Sequence, residues 1–343
     1  MINIGFDAFA FRMQKYGGIS KQFEEIINGI NAEKYSKQLC GLLTEHIPLE
    51  WRDRLFAKSI AIDNTNNRLT NAALRRFPKS RTKSIDLWHL SYYFKAPMVF
   101  PRTPYALTIH DFTPEFYPEL MESKDVHLAK MRLIPGASLL FCISETTKEH
   151  LIHLFPKLPE EKIVVSYPGP SIRKSERVIS GSRPYFLIVG RNDKYKNFDL
   201  VFEIIGEFPG HDFVFFGIDK SKVPNKYLFK FAKQIQIASG DSEILSMYYG
   251  GAAAYINPSF SEGFCIPVLD ALISDCPALI SDIPVFRELY GDSVGYFDPY
   301  DRRSLIDALL NVDSIKFAKF DKEKYKWANL VENHASSYSK VLD

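Results

Sequence analysis

Short apolar runs separated by longer mixed stretches set the pattern of this chain. Ile2–Phe6, Gln38–Leu43, Leu87–Leu90, Tyr105–Ile109 and Leu139–Ile143 form a first series. Tyr185–Val189, Asp212–Phe216, Ile235–Ala238, Ala252–Ile256, Ala278–Ile280 and Val294–Phe297 form a second. Such runs, with helical stretches between them, are the mark of strands buried in a parallel sheet. Between the two series lies Tyr167–Pro184 (YPGPSIRKSERVISGSRP), rich in Pro, Gly, Ser and charge and without periodicity. It reads as a linker plus the first residues of a second domain. The pattern therefore predicts an α/β chain of two tandem Rossmann-like, doubly wound domains. The first covers 1–168, a linker covers 169–184, and the second covers 185–321. A terminal helix over 322–343 caps the second domain or crosses back to the first; after Asp301 no further strand is predicted. Ligands of doubly wound sheets bind outside the carboxyl ends of the strands, near helix N-termini. Two such domains facing each other predict a cleft between them.

Length agrees with two domains, because 343 residues exceed what one hydrophobic core usually serves. Hydrophobic residues are 46% of the chain and charged residues 24%, so a large core can be buried. Lys plus Arg number 43 against 41 Asp plus Glu, a net charge of +2 that does not suggest a nucleic-acid partner. The four cysteines form no C-x-x-C pair and no Cys/His cluster of zinc spacing. Cys142 and Cys265 lie in apolar runs, as buried free thiols do, which suits a reducing cytosol. The first residues, MINIGFDAF, lack the basic and apolar regions of a signal peptide, and no stretch approaches the ~20 apolar residues that span a bilayer. A cytoplasmic protein is expected, with any membrane contact peripheral, at the cytoplasmic face. One local feature breaks the charge balance. Arg68, Arg75, Arg76, Lys79, Arg81 and Lys83 follow one another with no acid between them, and Leu69, Leu74 and Phe77 lie among them. This run is a solvated helix and loop or a surface that lies on anionic lipid.

Four segments carry candidate chemistry. In Tyr255–Asp270 (YINPSFSEGFCIPVLD) a strand ends near Asn257, a Pro-Ser-Phe-Ser-Glu-Gly loop follows, and Pro267 opens a helix. Glu262 falls in the loop and Asp270 in the first helical turn, while Gly263 permits a tight turn with exposed N–H groups. A carboxylate and backbone donors at one helix N-terminus can hold sugar hydroxyls and a phosphate together. The same spacing also fits Asp270 complementing the helix dipole and Glu262 as a solvated loop acid. In Val189–Asp199 (VGRNDKYKNFD), Arg191 and Lys196 stand at a strand-to-helix junction, where two cations can clamp a diphosphate or form a solvated basic loop. Gly17 and Gly18 of YGGIS open a helix and allow backbone to approach a phosphate, as any βα turn can. His110 and Asp111 of TIHDFTP sit just past the end of a strand, as a hydrogen-bonded loop or as part of a site.

Taken in chain order, the four segments resemble the signature of retaining glycosyltransferases of the two-domain GT-B architecture, family 4 in particular. The usual pattern there reads PS-x-x-EGFG-x-P-x-x-E-A, and Pro258, Ser259, Glu262, Gly263, Phe264, Pro267 and Ala271 match it. Asp270 replaces the second Glu, and Cys265 replaces the second Gly. The family's VGR-x-x-x-x-KN matches Arg191 and Lys196, its GGI turn matches Gly17 and Gly18, and its V-H-D-x-x-P stretch matches His110. Weaker similarities lie at Ser144–Thr147, where Ser144 is read as an N-cap, and at Ser281–Glu288, read as structural.

The resemblance implies roles. Glu262 would contact the donor-sugar hydroxyls, and Asp270 would hold the nucleotide ribose through a side chain one methylene short. Arg191 and Lys196 would hold the diphosphate. Gly17 and Gly18, with the Gly263 and Phe264 turn, would line the donor phosphates, and His110 would lie near the donor sugar. The implied activity moves a hexosyl unit, with retention of configuration, from a nucleoside-diphosphate sugar such as GDP-mannose or a UDP-sugar. The acceptor would be a saccharide or lipid-linked saccharide of the O-antigen or capsule type. No separate cofactor and no metal are expected, since two cations can neutralise the leaving group and no Asp-x-Asp motif is evident. A sugar-nucleotide epimerase and a catalytically dead scaffold of the same fold are the alternatives.

Overall fold

The computed structural model describes residues 1–7, 9–13, 17–40, 85–93, 103–121 and 125–342. The basic run from Arg68 to Lys83 lies outside the described residues. Twelve strands form two six-stranded sheets among the described residues. The first holds β1 (Ile2–Asp7), β2 (Tyr35–Cys40), β3 (Leu87–Leu90), β4 (Tyr105–Ile109), β5 (Leu139–Cys142) and β6 (Ile163–Val165), in the order β2-β1-β3-β4-β5-β6. The second holds β7 (Tyr185–Val189), β8 (Asp212–Phe216), β9 (Ile235–Ala238), β10 (Ala254–Asn257), β11 (Ala278–Ser281) and β12 (Gly295–Phe297), in the order β12-β11-β10-β7-β8-β9. Every pairing is parallel.

Each sheet is wound both ways from its first strand. The direction reverses between β1 and β3 in the first sheet and between β7 and β10 in the second. At these reversals the connecting loops diverge to opposite faces and leave a crevice at the strand ends. Alternation along the strands fills both faces. Tyr185 and Leu187 of β7 enter one apolar cluster and Phe186 and Ile188 the other. Leu139 and Phe141 of β5 likewise oppose Leu140 and Cys142. Such strands read as continuous apolar runs because no face meets water.

Two strands differ from the expected pattern. β2 begins at Tyr35, three residues before the apolar run, since Ile2 pairs with Tyr35 and Asp7 with Cys40. The Tyr35 hydroxyl donates to the Ala335 carbonyl at 2.7 Å, and Lys37 Nζ donates to the Ile27 and Ile30 carbonyls at the end of the preceding helix. These long-range bonds set where the strand starts. β6 is an edge strand of three residues, too short to show as a run.

The helix Trp327–Leu342 packs on the first domain. Leu330 and Tyr338 belong to its core with Phe6, Phe23 and Ile27, and Gly29 lies so close that a Cβ there would meet Val331 at 2.7 Å. Trp327 begins the crossing, donating from Nε1 to the Pro170 carbonyl. The helix brings polar groups into that core. His89 Nδ1 lies 2.5 Å from the Tyr338 hydroxyl and its Nε2 lies 2.8 Å from Thr108 Oγ1. His334 Nδ1 donates to the Leu330 carbonyl at 2.7 Å, and its ring stacks on Phe141. That bond fixes the tautomer and leaves Nε2 an acceptor, buried and without a partner. Protonation would place a charged N–H there with nothing to accept it, so burial holds His334 down at about 3 and His89 well below the usual histidine range.

This arrangement makes the fold sensitive to acid. A histidine whose folded pKa lies below its unfolded value stabilises fully above about pH 6.5 and loses that contribution as pH falls toward the folded pKa. Asp7, raised by burial to about 6, and Asp270, raised to about 7, act in the opposite sense over the same range. Comparison with a variant therefore isolates the histidine. His334→Phe should gain on the wild type by about 1.4 kcal/mol per pH unit below pH ~6. Urea unfolding at several pH values measures this, and parallel stability curves for the two proteins would refute it.

Candidate active site

The crevice of the second sheet receives two loops. After β7 the chain turns through Gly190, with φ of +133°, and a short 3-10 turn, Lys194–Lys196. Asn197 stands at φ of +53°, a left-handed position that Asn tolerates, and its side chain donates to the Pro299 carbonyl at 2.9 Å. This sharp break aims Lys196 at the second loop. After β10, Asn257 Oδ1 accepts from the Ser259 N–H, starting the tight Pro258–Cys265 turn. The Phe260 N–H donates to the Tyr195 carbonyl at 2.8 Å and joins the two loops.

Their side chains meet as predicted for neither a solvated acid nor a solvated basic loop. Lys196 Nζ reaches Glu262 Oε1 at 2.5 Å, and Ser259 Oγ donates to the same oxygen at 2.8 Å. Both groups of the ion pair are largely buried. Burial alone would depress the lysine, but the adjoining Glu262 carboxylate outweighs it and holds Lys196 well above its usual range. Arg191 remains 64% exposed, beside Asp193 at 3.1 Å. One cation therefore lies in a buried pair and the other in an exposed one.

The first domain closes on these loops through backbone. A Cβ on Gly263 would lie 1.7 Å from the His110 carbonyl oxygen and 2.9 Å from its carbon, so only glycine fits between the domains here. Thr113 Oγ1 and Ser261 Oγ lie 2.9 Å apart across the same junction. Gly18 opens the helix Gly18–Gly29, with Gly17 as its cap, and a Cβ on Gly18 would come within 3.1 Å of Ile266. Ile266 starts the helix Ile266–Ile273, so the N-termini of two helices, one from each domain, converge beside the Glu262 turn. Their unpaired N–H groups and dipoles favour an anion there.

His110 is buried and its Nε2 donates to the Ser91 carbonyl at 3.0 Å. Burial lowers its pKa, so the ring is neutral and Nδ1 is its acceptor nitrogen. Ser91 in turn donates from N and Oγ to Asp7, whose carboxyl burial raises to about 6. Asp111 does not orient His110; its carboxylate accepts from the Thr113 N–H at 2.9 Å. The fully buried Lys130 anchors this loop, donating to the Asp111 carbonyl and to Glu115 at 2.7 Å each. Asp7, Ser91 and Lys130 escaped sequence reasoning. Asp7 at the end of β1 was the one readable signal, since a site collects residues there.

Two of the side chains expected at the donor pack or bond within the protein. Phe264 is 2% exposed, its ring against Tyr167 and Tyr325, so it offers the cleft backbone alone. Asp270 sits in the second helical turn rather than the first, 1% exposed, and both its oxygens accept from Ser171, one from N at 2.7 Å and one from Oγ. The shorter acid thus holds the linker. Glu288, read from the sequence as structural, spans the domains. Its carboxylate accepts from the N–H groups of Glu145 and Thr146, capping the helix Glu145–Leu154 of the first domain.

Residues 172–326 match the family model of Glycosyl transferases group 1. An O-antigen chain mannosyltransferase of Salmonella typhimurium is 26% identical over 233 residues, covering 61% of each chain. The chain thus spans about three fifths of that curated relative. Sucrose-phosphate synthase of Thermosynechococcus elongatus superposes with a TM-score of 0.69 at 13% identity, over 100% of this chain and 95% of the other. Anabaena HepE, solved with UDP-glucose, superposes with a TM-score of 0.69 at 15% identity, over 100% of this chain and 96% of the other. Two facing doubly wound domains and full-length superposition lead to one assignment: the chain has the GT-B fold, and its residues 172–326 are similar to the glycosyl transferases group 1.

Proposed function

We propose that the chain is a retaining hexosyltransferase that takes its sugar from a nucleoside diphosphate. The observation that carries this reading is the Lys196–Glu262 pair, set at the topological reversal of the second sheet. The site supplies what such a reaction needs. Arg191, Lys196 and the converging helix N-termini at Gly18 and Ile266 suit a diphosphate and stabilise its charge as it leaves. Glu262 and the neutral His110 Nδ1 provide acceptors for sugar hydroxyls. The bond between the anomeric carbon and the diphosphate oxygen breaks, leaving an oxocarbenium-like centre. The acceptor hydroxyl attacks from the face the diphosphate leaves, and its proton passes to that diphosphate oxygen. Configuration is thereby retained. The two cations carry the leaving charge, so the scheme invokes no metal.

The relative from Salmonella typhimurium is named for mannose transfer to an O-antigen chain, and the Anabaena structure contains UDP-glucose. We therefore place GDP-mannose and UDP-hexoses first as donors, and a saccharide or lipid-linked saccharide as acceptor. The site of action would be the cytoplasmic face of the membrane, by peripheral contact; no described helix is long and apolar enough to cross it.

Donor binding should raise the melting temperature of the wild type with one of GDP-mannose, UDP-glucose, UDP-galactose or UDP-N-acetylglucosamine. Glu262→Gln should cut kcat by about two to three orders of magnitude while the variant still unfolds cooperatively. Turnover comparable with the wild type would remove Glu262 from the site, and NMR of the product anomer tests retention. Consumption of donor without any acceptor, giving an epimeric nucleotide sugar, would replace transfer by epimerisation.

Gly263→Ala tests the closure. The added methyl group meets the His110 carbonyl, so the loops must separate. A misplacement of about 1 Å costs roughly a hundredfold in kcat/KM. Wild-type kcat/KM in this variant would show that catalysis does not use the closed arrangement.

A further inference from the structure

Beyond Glu262 the interdomain cleft continues past the groups proposed for the diphosphate and the donor sugar. A hollow of about 230 Å³ beside Glu262 and Ser261 adjoins a second of about 600 Å³, and Tyr117, Phe260, Ile283 and Pro284 wall both. The outer hollow lies at the ends of β11 and β12, and neither Arg191 nor Lys196 lines it. Its lining is unusual for a protein surface. Tyr300 is 72% exposed, yet its ring stacks on Phe260, centroids 4.8 Å apart and planes at 27°. Phe116, 38% exposed at the inner hollow, lies 4.6 Å from the His150 ring. Between the aromatics, Arg287 Nε and Nη2 donate to the two oxygens of Asp282 at 2.7 Å each, and the guanidinium lies 3.6 Å over the Tyr296 ring. Asp298 stands beside them, one oxygen accepting from the Tyr300 N–H.

We infer that this groove is a saccharide subsite that holds the acceptor chain behind its reacting end, an inference that rests on the transferase reading above. A pyranose has an apolar face of C–H groups and a rim of hydroxyls. The exposed, pre-stacked Tyr300 ring matches the face. The flat Asp282–Arg287 pair and the Asp298 carboxylate offer fixed donors and acceptors to the rim. The competing occupants fit less well. Two carboxylates against one guanidinium disfavour a second phosphate. An acyl chain would leave those three charged groups desolvated without partners. Continuity with Glu262 fixes the direction: the end of the chain at Ser261 faces the donor sugar and the rest runs outward over Phe260 and Tyr300.

The test uses the full chain and four neutral trisaccharides as probes, built of mannose, galactose, glucose and N-acetylglucosamine. Saturation-transfer NMR reads saccharide binding, and thermal shift with the nucleotide sugars reads the donor site in the same samples. Tyr300 is exposed and lies outside the proposed catalytic groups, so Tyr300→Ala leaves the core intact. The wild type should bind at least one trisaccharide. Tyr300→Ala should weaken that binding about tenfold, as expected for one lost stacking partner. Tyr300→Phe should restore it, with the nucleotide-sugar shift equal in all three proteins. Absence of binding by every trisaccharide, or equal binding by wild type and Tyr300→Ala, would overturn the subsite. If no nucleotide sugar stabilises the wild type while trisaccharide binding still depends on Tyr300, the groove stands and the transferase reading falls.

Discussion

The backbone of Gly263 rests against the carbonyl of His110, and this contact decides how closely the two domains can approach. Everything that makes the cleft a site is referred to it. Lys196 and Glu262 are positioned within the second domain, His110 within the first, and only the missing Cβ lets the two sets share one space. Other interdomain ties act at a distance from it. Glu288 caps a helix of the first domain, and the helix Trp327–Leu342 returns to the first core with Trp327 bonded to the linker. These contacts are directional and lie apart from one another, so they hold the two domains together at several points.

Charge is distributed to match. The ion pair between Lys196 and Glu262 sits where an incoming diphosphate would compete for the lysine. Two unit charges about 4 Å apart attract by roughly 4 kcal/mol at an effective dielectric of 20. In the proposed reaction a diphosphate near Lys196 would compete with Glu262 on comparable electrostatic terms, and a glutamate released from the pair would be an acceptor for sugar hydroxyls. Paired in this way, neither buried charge is left uncompensated. On the first-domain side each polar group is given its own partners. His110 is kept neutral by burial, and the Asp7 carboxyl is raised to about 6 while it holds Ser91 in place to accept from that ring.

The fold was legible because parallel strands buried on both faces leave unbroken apolar runs, and ten of the twelve strands follow them closely. β6 was not legible because three edge residues leave no run, and the start of β2 depends on Ala335 and the helix carbonyls that Lys37 caps. In the site, residues joined by local geometry were readable. The Arg191 and Lys196 loop and the Glu262 turn each declare themselves within a dozen residues. Groups placed by contacts across the chain were not. Nothing near Asp7 or Lys130 names Ser91 or Asp111 as partner, and the spacing of Asp270 could not show that Ser171, on the linker, takes both its oxygens. The aromatic groove was hidden for the same reason, since Tyr117, Phe260 and Tyr300 come from three separate loops.

Cys265 shows how a departure from the family pattern can be tolerated. The pattern has glycine there, and the structure gives the reason: the residue stands at φ of +70°, where a side chain costs on the order of 1 kcal/mol or more. The conformation is imposed by the neighbours, since the turn must pass from Gly263 on the His110 carbonyl to a helix that begins one residue later. The side chain offsets part of that cost. It is buried, and its sulfur accepts from Asn257 Nδ2 at 3.0 Å, the same Asn257 whose Oδ1 starts the turn. The Tyr290 hydroxyl closes the other side by donating to the Cys265 carbonyl. The strained residue is therefore bonded at both ends of the turn that carries Glu262, and a position that elsewhere needs only flexibility here becomes a brace for the carboxylate.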